Sequence, residues 1–152
     1  MSETWFEVEG YRLRADRFYD PELHLWVELP AGAGPARVGL DPLGRETRGD
    51  VVEIVLIEPG SAVQRGKPFG SLEAAKYVGP LEAPISGTVA AVNPDVISSP
   101  GLLNQDSDET WLIEVEPADR SELERLLQGE ARVRPWFAAE VERYRRQGAV
   151  AE

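Results

Sequence analysis

Cysteine is absent from the chain, which excludes disulfides, thiol nucleophiles and cysteine-ligated metals. A single histidine, His24, leaves little material for acid–base catalysis or a multi-histidine metal site. Lysine is nearly as scarce, with Lys67 and Lys76 standing against fourteen arginines. Acidic residues outnumber basic ones 27 to 16, for a formal net charge of −11. That balance argues against nucleic acid or an anionic membrane as partner, because phosphate binding needs concentrated Lys and Arg. Basic clefts on other proteins fit it better. No secretory h-region and no run long enough to span a bilayer is present, so the expected location is the cytoplasm. The many carboxylates could supply an acid–base pair, but dispersed as they are they read as a solvated acidic surface, and an enzyme is the least favoured class.

What is present is a soluble globular composition, 42% hydrophobic over 152 residues, enough for one domain with a real core and an appended tail. Alternation in Trp5-Phe6-Glu7-Val8-Glu9 and Leu23-His24-Leu25-Trp26-Val27-Glu28-Leu29 predicts strands, with Asp20-Pro21 as a turn between them. His24, inside the second pattern, reads as structural. Ala36–Leu40 predicts a short strand, 41–49 a loop or short helix, and Gly49–Ile57 the densest strand, closed by Glu58-Pro59-Gly60. Residues 97–106 are mostly turn-forming, and Trp111–Glu116 is the last strand.

Beyond Pro117 the period changes. Asp119 or Ser121 could cap a helix with Leu123, Leu126 and Leu127 on one face and Gly129 as its stop. A second helix is expected from about Pro135, with Phe137, Val141 and Tyr144 as a stripe, Glu142 and Arg146 spaced for an i,i+4 pair, and Gly148 at its end.

The chain is organised around Gly70–Pro80 and the Ala83-Pro84-Ile85-Ser86-Gly87-Thr88-Val89 that follows. Glu73-Ala74-Ala75-Lys76 could form a short helix capped by Ser71, but the Gly and Pro breaks leave room for barely two turns, and so short a helix is marginal. A hairpin with Ala74-Ala75-Lys76-Tyr77 at or near its tip fits better, and puts the Lys76 stem into water. Lysine is avoided elsewhere, so Lys76 is read as present for its primary amine, which can form a stable amide where arginine cannot. A weak repeat places Gly49-Asp50-Val51-Val52 and Gly87-Thr88-Val89 at equivalent points of two strand–turn–strand halves flanking this hairpin. The fold class expected is mainly β, a flattened β-barrel or sandwich of two small sheets with this hairpin at one end, followed by C-terminal helices.

Asp16-Arg17-Phe18-Tyr19, His24…Trp26, Gly49-Asp50-Val51-Val52, Glu73-Ala74-Ala75-Lys76, Pro84-Ile85-Ser86-Gly87, Asn93…Pro100-Gly101-Leu102-Leu103-Asn104-Gln105-Asp106 and Trp111-Leu112-Ile113 occur in order and with compatible spacing. Together they resemble the glycine cleavage system H protein family. The likeness covers about residues 16–130. It implies a flattened β-barrel/sandwich hybrid of the lipoyl/biotinyl carrier type with C-terminal helices, a carrier domain over 1–130 with a helical extension over 131–152, lipoate attached covalently to Lys76, and Glu73 as an acidic recognition point for the lipoylating enzyme. It implies no catalytic residue and no metal. The partners implied are glycine decarboxylase, which loads an aminomethyl group, a tetrahydrofolate-dependent aminomethyltransferase and dihydrolipoamide dehydrogenase, served by a monomeric carrier. Tyr77-Val78-Gly79-Pro80 after the lysine and Asp41–Arg48 before Gly49 depart from the family's usual pattern. A related alternative is therefore an H-like lipoate-binding protein of another pathway, such as heterodisulfide-reductase-like sulfur oxidation. A third is a biotinyl carrier, although Ala75 stands where the biotin site's Glu-Ala-Met-Lys has Met.

Overall fold

The computed structural model describes residues 4–150. The chain begins with a hairpin, β1 (Trp5–Val8) and β2 (Tyr11–Arg14), whose two-residue turn has positive φ at both Glu9 (52°) and Gly10 (89°). Such a turn matches the right-handed twist of the flanking strands. There follow β3 (Phe18–Tyr19), β4 (Leu25–Glu28), β5 (Ala36–Leu40), α1 (Pro42–Glu46), β6 (Val51–Leu56), β7 (Ala62–Val63), β8 (Pro68–Ala74), β9 (Tyr77–Glu82) and β10 (Gly87–Val92). Then come α2 (Pro94–Ser98), α3 (Leu102–Gln105), β11 (Ile113–Pro117), a 3-10 helix (Arg120–Arg125), β12 (Leu127–Gln128) and α4 (Glu130–Arg146).

Seven strands pair in the order β12-β3-β4-β5-β11-β10-β7, and β6-β8-β9 form a second, three-stranded sheet. Every strand pairing is antiparallel, and both sheets are open, so the expected sandwich is present without a closed barrel. The main core lies between them, where Leu25, Val27 and Val38 of the large sheet meet Ile54, Leu72 and Leu81 of the small one.

β4 shows how the layers arise. Its side chains alternate, so Leu25 and Val27 enter the main core while Trp26 points the other way, into a second core with Val8, Leu13 and Tyr19. The same side of the sheet is covered by α4, whose Val133, Phe137 and Val141 are spaced i, i+4, i+8 and are fully buried there. The Arg17 guanidinium lies over the Trp26 ring, 3.8 Å from its centroid, and pairs with Glu28 at 2.9 Å.

The sequence reading needs correction after residue 117. Residues 120–125 form a 3-10 helix, and Leu126 and Leu127 leave it for β12, sending Leu126 into the main core and Leu127 against the second. The three leucines therefore share no helix face. Gly129 begins α4 at φ 90° rather than ending a helix, and Pro135 sits inside α4 rather than at its start. An interior proline loses one helical hydrogen bond. Here Pro135 faces solvent, and the burial of Val133 before it carries the helix back to Glu130. Glu142 and Arg146 do form the i,i+4 pair, at 3.8 Å.

The proposed repeat also dissolves. Gly49 and Gly87 serve different sheets for different reasons: Gly49 has φ 80°, whereas a Cβ on Gly87 would run into the Glu116 carbonyl. Residues 94–98 and 102–105 are short helices rather than turns, the first capped by Asn93, which accepts from the Asp95 N–H at 3.1 Å, with Pro94 at its first position.

Candidate functional site: a braced lysine hairpin

β8 and β9 close on Ala75-Lys76, with Ala74 paired to Tyr77. Neither turn residue has positive φ, so this is not the primed turn that two-residue hairpins favour. The turn is held from outside instead. The Ala75 N–H donates to the Asp50 carbonyl at 2.9 Å and the Lys76 N–H to the Arg48 carbonyl at 2.8 Å. Between those acceptors lies Gly49, where a Cβ would stand 3.1 Å from Ala75 Cβ and 3.3 Å from Lys76 Cε. Glycine is needed there both for its left-handed backbone and for the close approach of the lysine stem.

The 48–51 loop is braced in turn by Pro100–Asp106. Asn104 Oδ1 accepts from the Val51 N–H at 2.8 Å and its Nδ2 donates back to the Val51 carbonyl at 3.3 Å. Arg45 donates to the Asn104 carbonyl at 3.1 Å and lies 3.4 Å from Asp50. The motif that singled out 100–106 in the sequence thus acts through one asparagine on the loop beneath the lysine.

Lys76 is exposed and has no ion-pair or hydrogen-bond partner for its amine among the described residues. Glu73 is exposed on β8 and makes no ion pair with Lys76. The two sequence-derived site residues share one hairpin without touching. Tyr77 folds back along β9 and donates to the Pro80 carbonyl at 2.7 Å, passing so near Gly79 that a Cβ there would lie 2.8 Å from its hydroxyl. The Arg48 guanidinium covers the Tyr77 ring at 4.8 Å and donates to the Gly44 carbonyl at 2.6 Å. Tyr77-Val78-Gly79-Pro80 is therefore a self-contained wall beside the lysine, in which Gly79 makes room for Tyr77 and Pro80 receives its hydroxyl.

A cavity of about 160 Å³ opens beside that wall, between Leu23, Thr47, Arg48, Tyr77 and Tyr144 of α4. Behind it His24 is buried, not inside β4 but one residue ahead of it, in the left-handed region at φ 57°. Its Nδ1 meets Asp41 Oδ2 and its Nε2 meets Glu140 Oε1, each at 2.8 Å, and its ring stacks on Trp136 at 5.3 Å. Burial opposes the charged ring, but the Asp41 and Glu140 carboxylates outweigh it and push the imidazole up to about 9. A charged His24 with both nitrogens donating ties α4 to the sheet and performs no chemistry on a substrate. Arg143 holds Glu140 in place from the next turn of α4 at 2.9 Å, and with His24 it lowers that carboxyl's pKa.

This arrangement suits a covalent arm. One primary amine stands clear on a rigid turn, with a shaped wall beside it. Among the described residues there is no cluster of His, Cys, Asp and Glu able to hold a metal, and no helix long and apolar enough to cross a membrane. Gly49, Arg48, Tyr77 and Asn104 are the positioning residues to which the sequence alone assigns no role. Each lies in a stretch that the sequence marks: Gly49 and Asn104 in the Gly49-Asp50 and Pro100–Asp106 motifs, Tyr77 at the hairpin tip, and Arg48 at the end of the atypical segment before Gly49.

The family model "Glycine cleavage H-protein" matches residues 17–136. A glycine cleavage system H protein of Bacillus velezensis is 40% identical over 116 residues, covering 76% of this chain and 89% of the relative. "Glycine cleavage system H protein 4" of Aquifex aeolicus is 37% identical over 123 residues, covering 80% and 70%. Among solved structures, a glycine cleavage system H protein from Mycobacterium marinum superposes with a TM-score of 0.64 at 33% identity, covering 73% of this chain and 95% of that one.

Proposed function

This chain belongs to the glycine cleavage H-protein family, and on that premise we propose that Lys76 carries its lipoyl arm and that Glu73 presents the site to the lipoylating enzyme. The protein is a non-catalytic lipoyl carrier of the glycine cleavage system. Family members carry lipoate covalently on a lysine and work with glycine decarboxylase, aminomethyltransferase and dihydrolipoamide dehydrogenase. The observation that carries the assignment to Lys76 is its place: an exposed amine at a hairpin turn whose two N–H groups are both anchored to the 48–50 loop.

The bound dithiolane supplies the sulfur on which the transferred group travels; the chain supplies the geometry. Asp50 and Arg48 fix the turn through their carbonyls, so the arm swings from a stationary pivot. A short tether on a fixed pivot keeps its tip at high effective concentration near each partner's active site. Gly49 gives the stem passage, and Tyr77 with Arg48 bounds its sweep on one side. Glu73 offers a free carboxylate on the strand leading to the turn.

We place the carrier in the cytoplasm, where it would meet these enzymes. A boundary near residue 130 is proposed between the carrier domain (1–130) and a helical extension (131–152) that packs on its second core; residues 1–3 of the one and 151–152 of the other lie outside the described structure. What supports it is that α4 begins at Glu130. The test is a loading assay. Lipoylated protein is expected to support release of CO2 from the glycine carboxyl by glycine decarboxylase, and Lys76→Arg, folded by circular dichroism, is expected to support none. Equal activity of the two would remove Lys76 from the arm's role.

A further inference from the structure

The outer face of the β6–β8–β9 sheet departs from the rule that a solvated sheet face is polar. Ile54, Leu72 and Leu81 fill the inner face, yet Val55 and Val78 on the outer one are 56% and 78% exposed, and Val52 at the β6 irregularity is 62% exposed. Ile97, 46% exposed, lies in α2, which packs beside β6. All the large hydrophobics that the described residues leave exposed are thus on or beside the sheet that carries Lys76. An apolar concentration of this kind marks an interaction site.

The register gives the surface its shape. One row across the sheet is Glu53, Glu73 and Val78, and the next is Val55, Ser71 and Pro80. Small Ser71 on the central strand leaves a groove of about 210 Å³ bounded by Val55, Val78 and Gly79, closed at the end nearer the turn by Glu53 and Glu73. Those two carboxylates stand directly opposite one another, and neither has a hydrogen-bond or ion-pair partner among the described residues. Like charges so placed weaken a sheet.

We propose that this face is the docking surface for the enzyme that lipoylates Lys76, and that its groove receives one arginine side chain of that enzyme. The stem would lie along Val55 and Val78, and the guanidinium would bridge Glu53 and Glu73. An amphipathic cation is the side chain that uses both an apolar channel and a paired carboxylate end. Arginine is also the charged residue over-represented at the energetic centre of interfaces. The proposal rests on the reading of Lys76 as the arm site and extends it from Glu73 to Glu53, Val55 and Val78.

The test is steady-state lipoylation of the apo-protein by purified lipoate–protein ligase, with the modified residue mapped by mass spectrometry. Glu53→Gln, Glu73→Gln and Val55→Ser are each expected to raise KM about tenfold with kcat nearly unchanged. Removing one member of the carboxylate pair is expected to leave the melting temperature unchanged or higher. Worse recognition with equal or better stability is a signature that a purely structural role would not give. Wild-type modification at Lys76 with all three variants within twofold in KM would overturn the groove proposal alone. Absence of any lipoyl increment at Lys76 in the wild type would overturn it together with the arm assignment. A dimer in sedimentation that Val55→Ser dissociates, with KM unmoved, would give the groove to a second copy of this chain and overturn the proposal as well.

Discussion

Gly49 and Lys76 are packed against one another, so that a Cβ on residue 49 would stand 3.3 Å from the lysine Cε and 3.4 Å from its backbone nitrogen. The loop and the hairpin turn are one unit, joined further by the Lys76 N–H bond to the Arg48 carbonyl at 2.8 Å. Gly49→Ala therefore meets a left-handed backbone at φ 80° and a crowded turn together. It is expected to cost ~1–3 kcal/mol, read as a fall of several degrees in thermal denaturation, and to slow lipoylation of Lys76. An alanine variant as stable as wild type would show that the loop can move away from the turn.

Asn104 reaches the same loop from α3. Asn104→Ala leaves the Val51 N–H and carbonyl without the side chain that now meets both, at 2.8 and 3.3 Å. The expected loss is ~1–3 kcal/mol in urea unfolding. Faster amide hydrogen exchange is expected at Val51, Ala75 and Lys76. Protection unchanged at the turn would separate the 100–106 segment from the site.

His24 links stability to pH. Its folded pKa, about 9, is raised above the unfolded value of ~6.5, so its contribution is fully present below pH ~6.5 and is lost as pH rises towards 9. Unfolding free energies at pH 6, 7.5 and 9.5 are expected to decline by up to ~3 kcal/mol relative to His24→Asn, a residue that tolerates the left-handed backbone at φ 57° but lacks the imidazolium. A wild-type minus variant difference that stays flat across this range would remove the charged pairs with Asp41 and Glu140.

Phe137 tests how far α4 belongs to the carrier. Its ring is fully buried and meets Tyr11 edge-on at 5.7 Å, from the hairpin at the other end of the chain. Phe137→Ala is expected to cost ~3–5 kcal/mol. A loss below 1 kcal/mol would make the helix a loosely attached appendage rather than a wall of the second core.

The lysine hairpin was legible because glycine and proline punctuate it and a scarce residue type stands at its tip. β6 was legible because four of its six residues are β-branched, and β5 because a short, mostly apolar run stands between the Gly/Ala/Pro loop and Asp41-Pro42. β2 was missed although Tyr11 and Leu13 alternate with Arg12 and Arg14, and α2 although Asn93-Pro94 is a cap followed by a first-turn proline. The start of α4 was misread because Pro135 outweighed a buried Val133 that only tertiary packing reveals. No local pattern could have paired His24 with Glu140, 116 positions away, or set Glu53 opposite Glu73. Contacts of that kind depend on register and on sheet stacking, which are fixed by the whole core.

The most direct test of the arm assignment is intact mass with peptide mapping of wild type and Lys76→Arg after incubation with lipoate, ATP and lipoate–protein ligase. A single lipoyl increment confined to the Lys76 peptide, and none in the variant, is the expected result. An increment on Lys67, a biotinyl increment under biotinylating conditions in its place, or equal modification of the Lys76→Arg variant would contradict it.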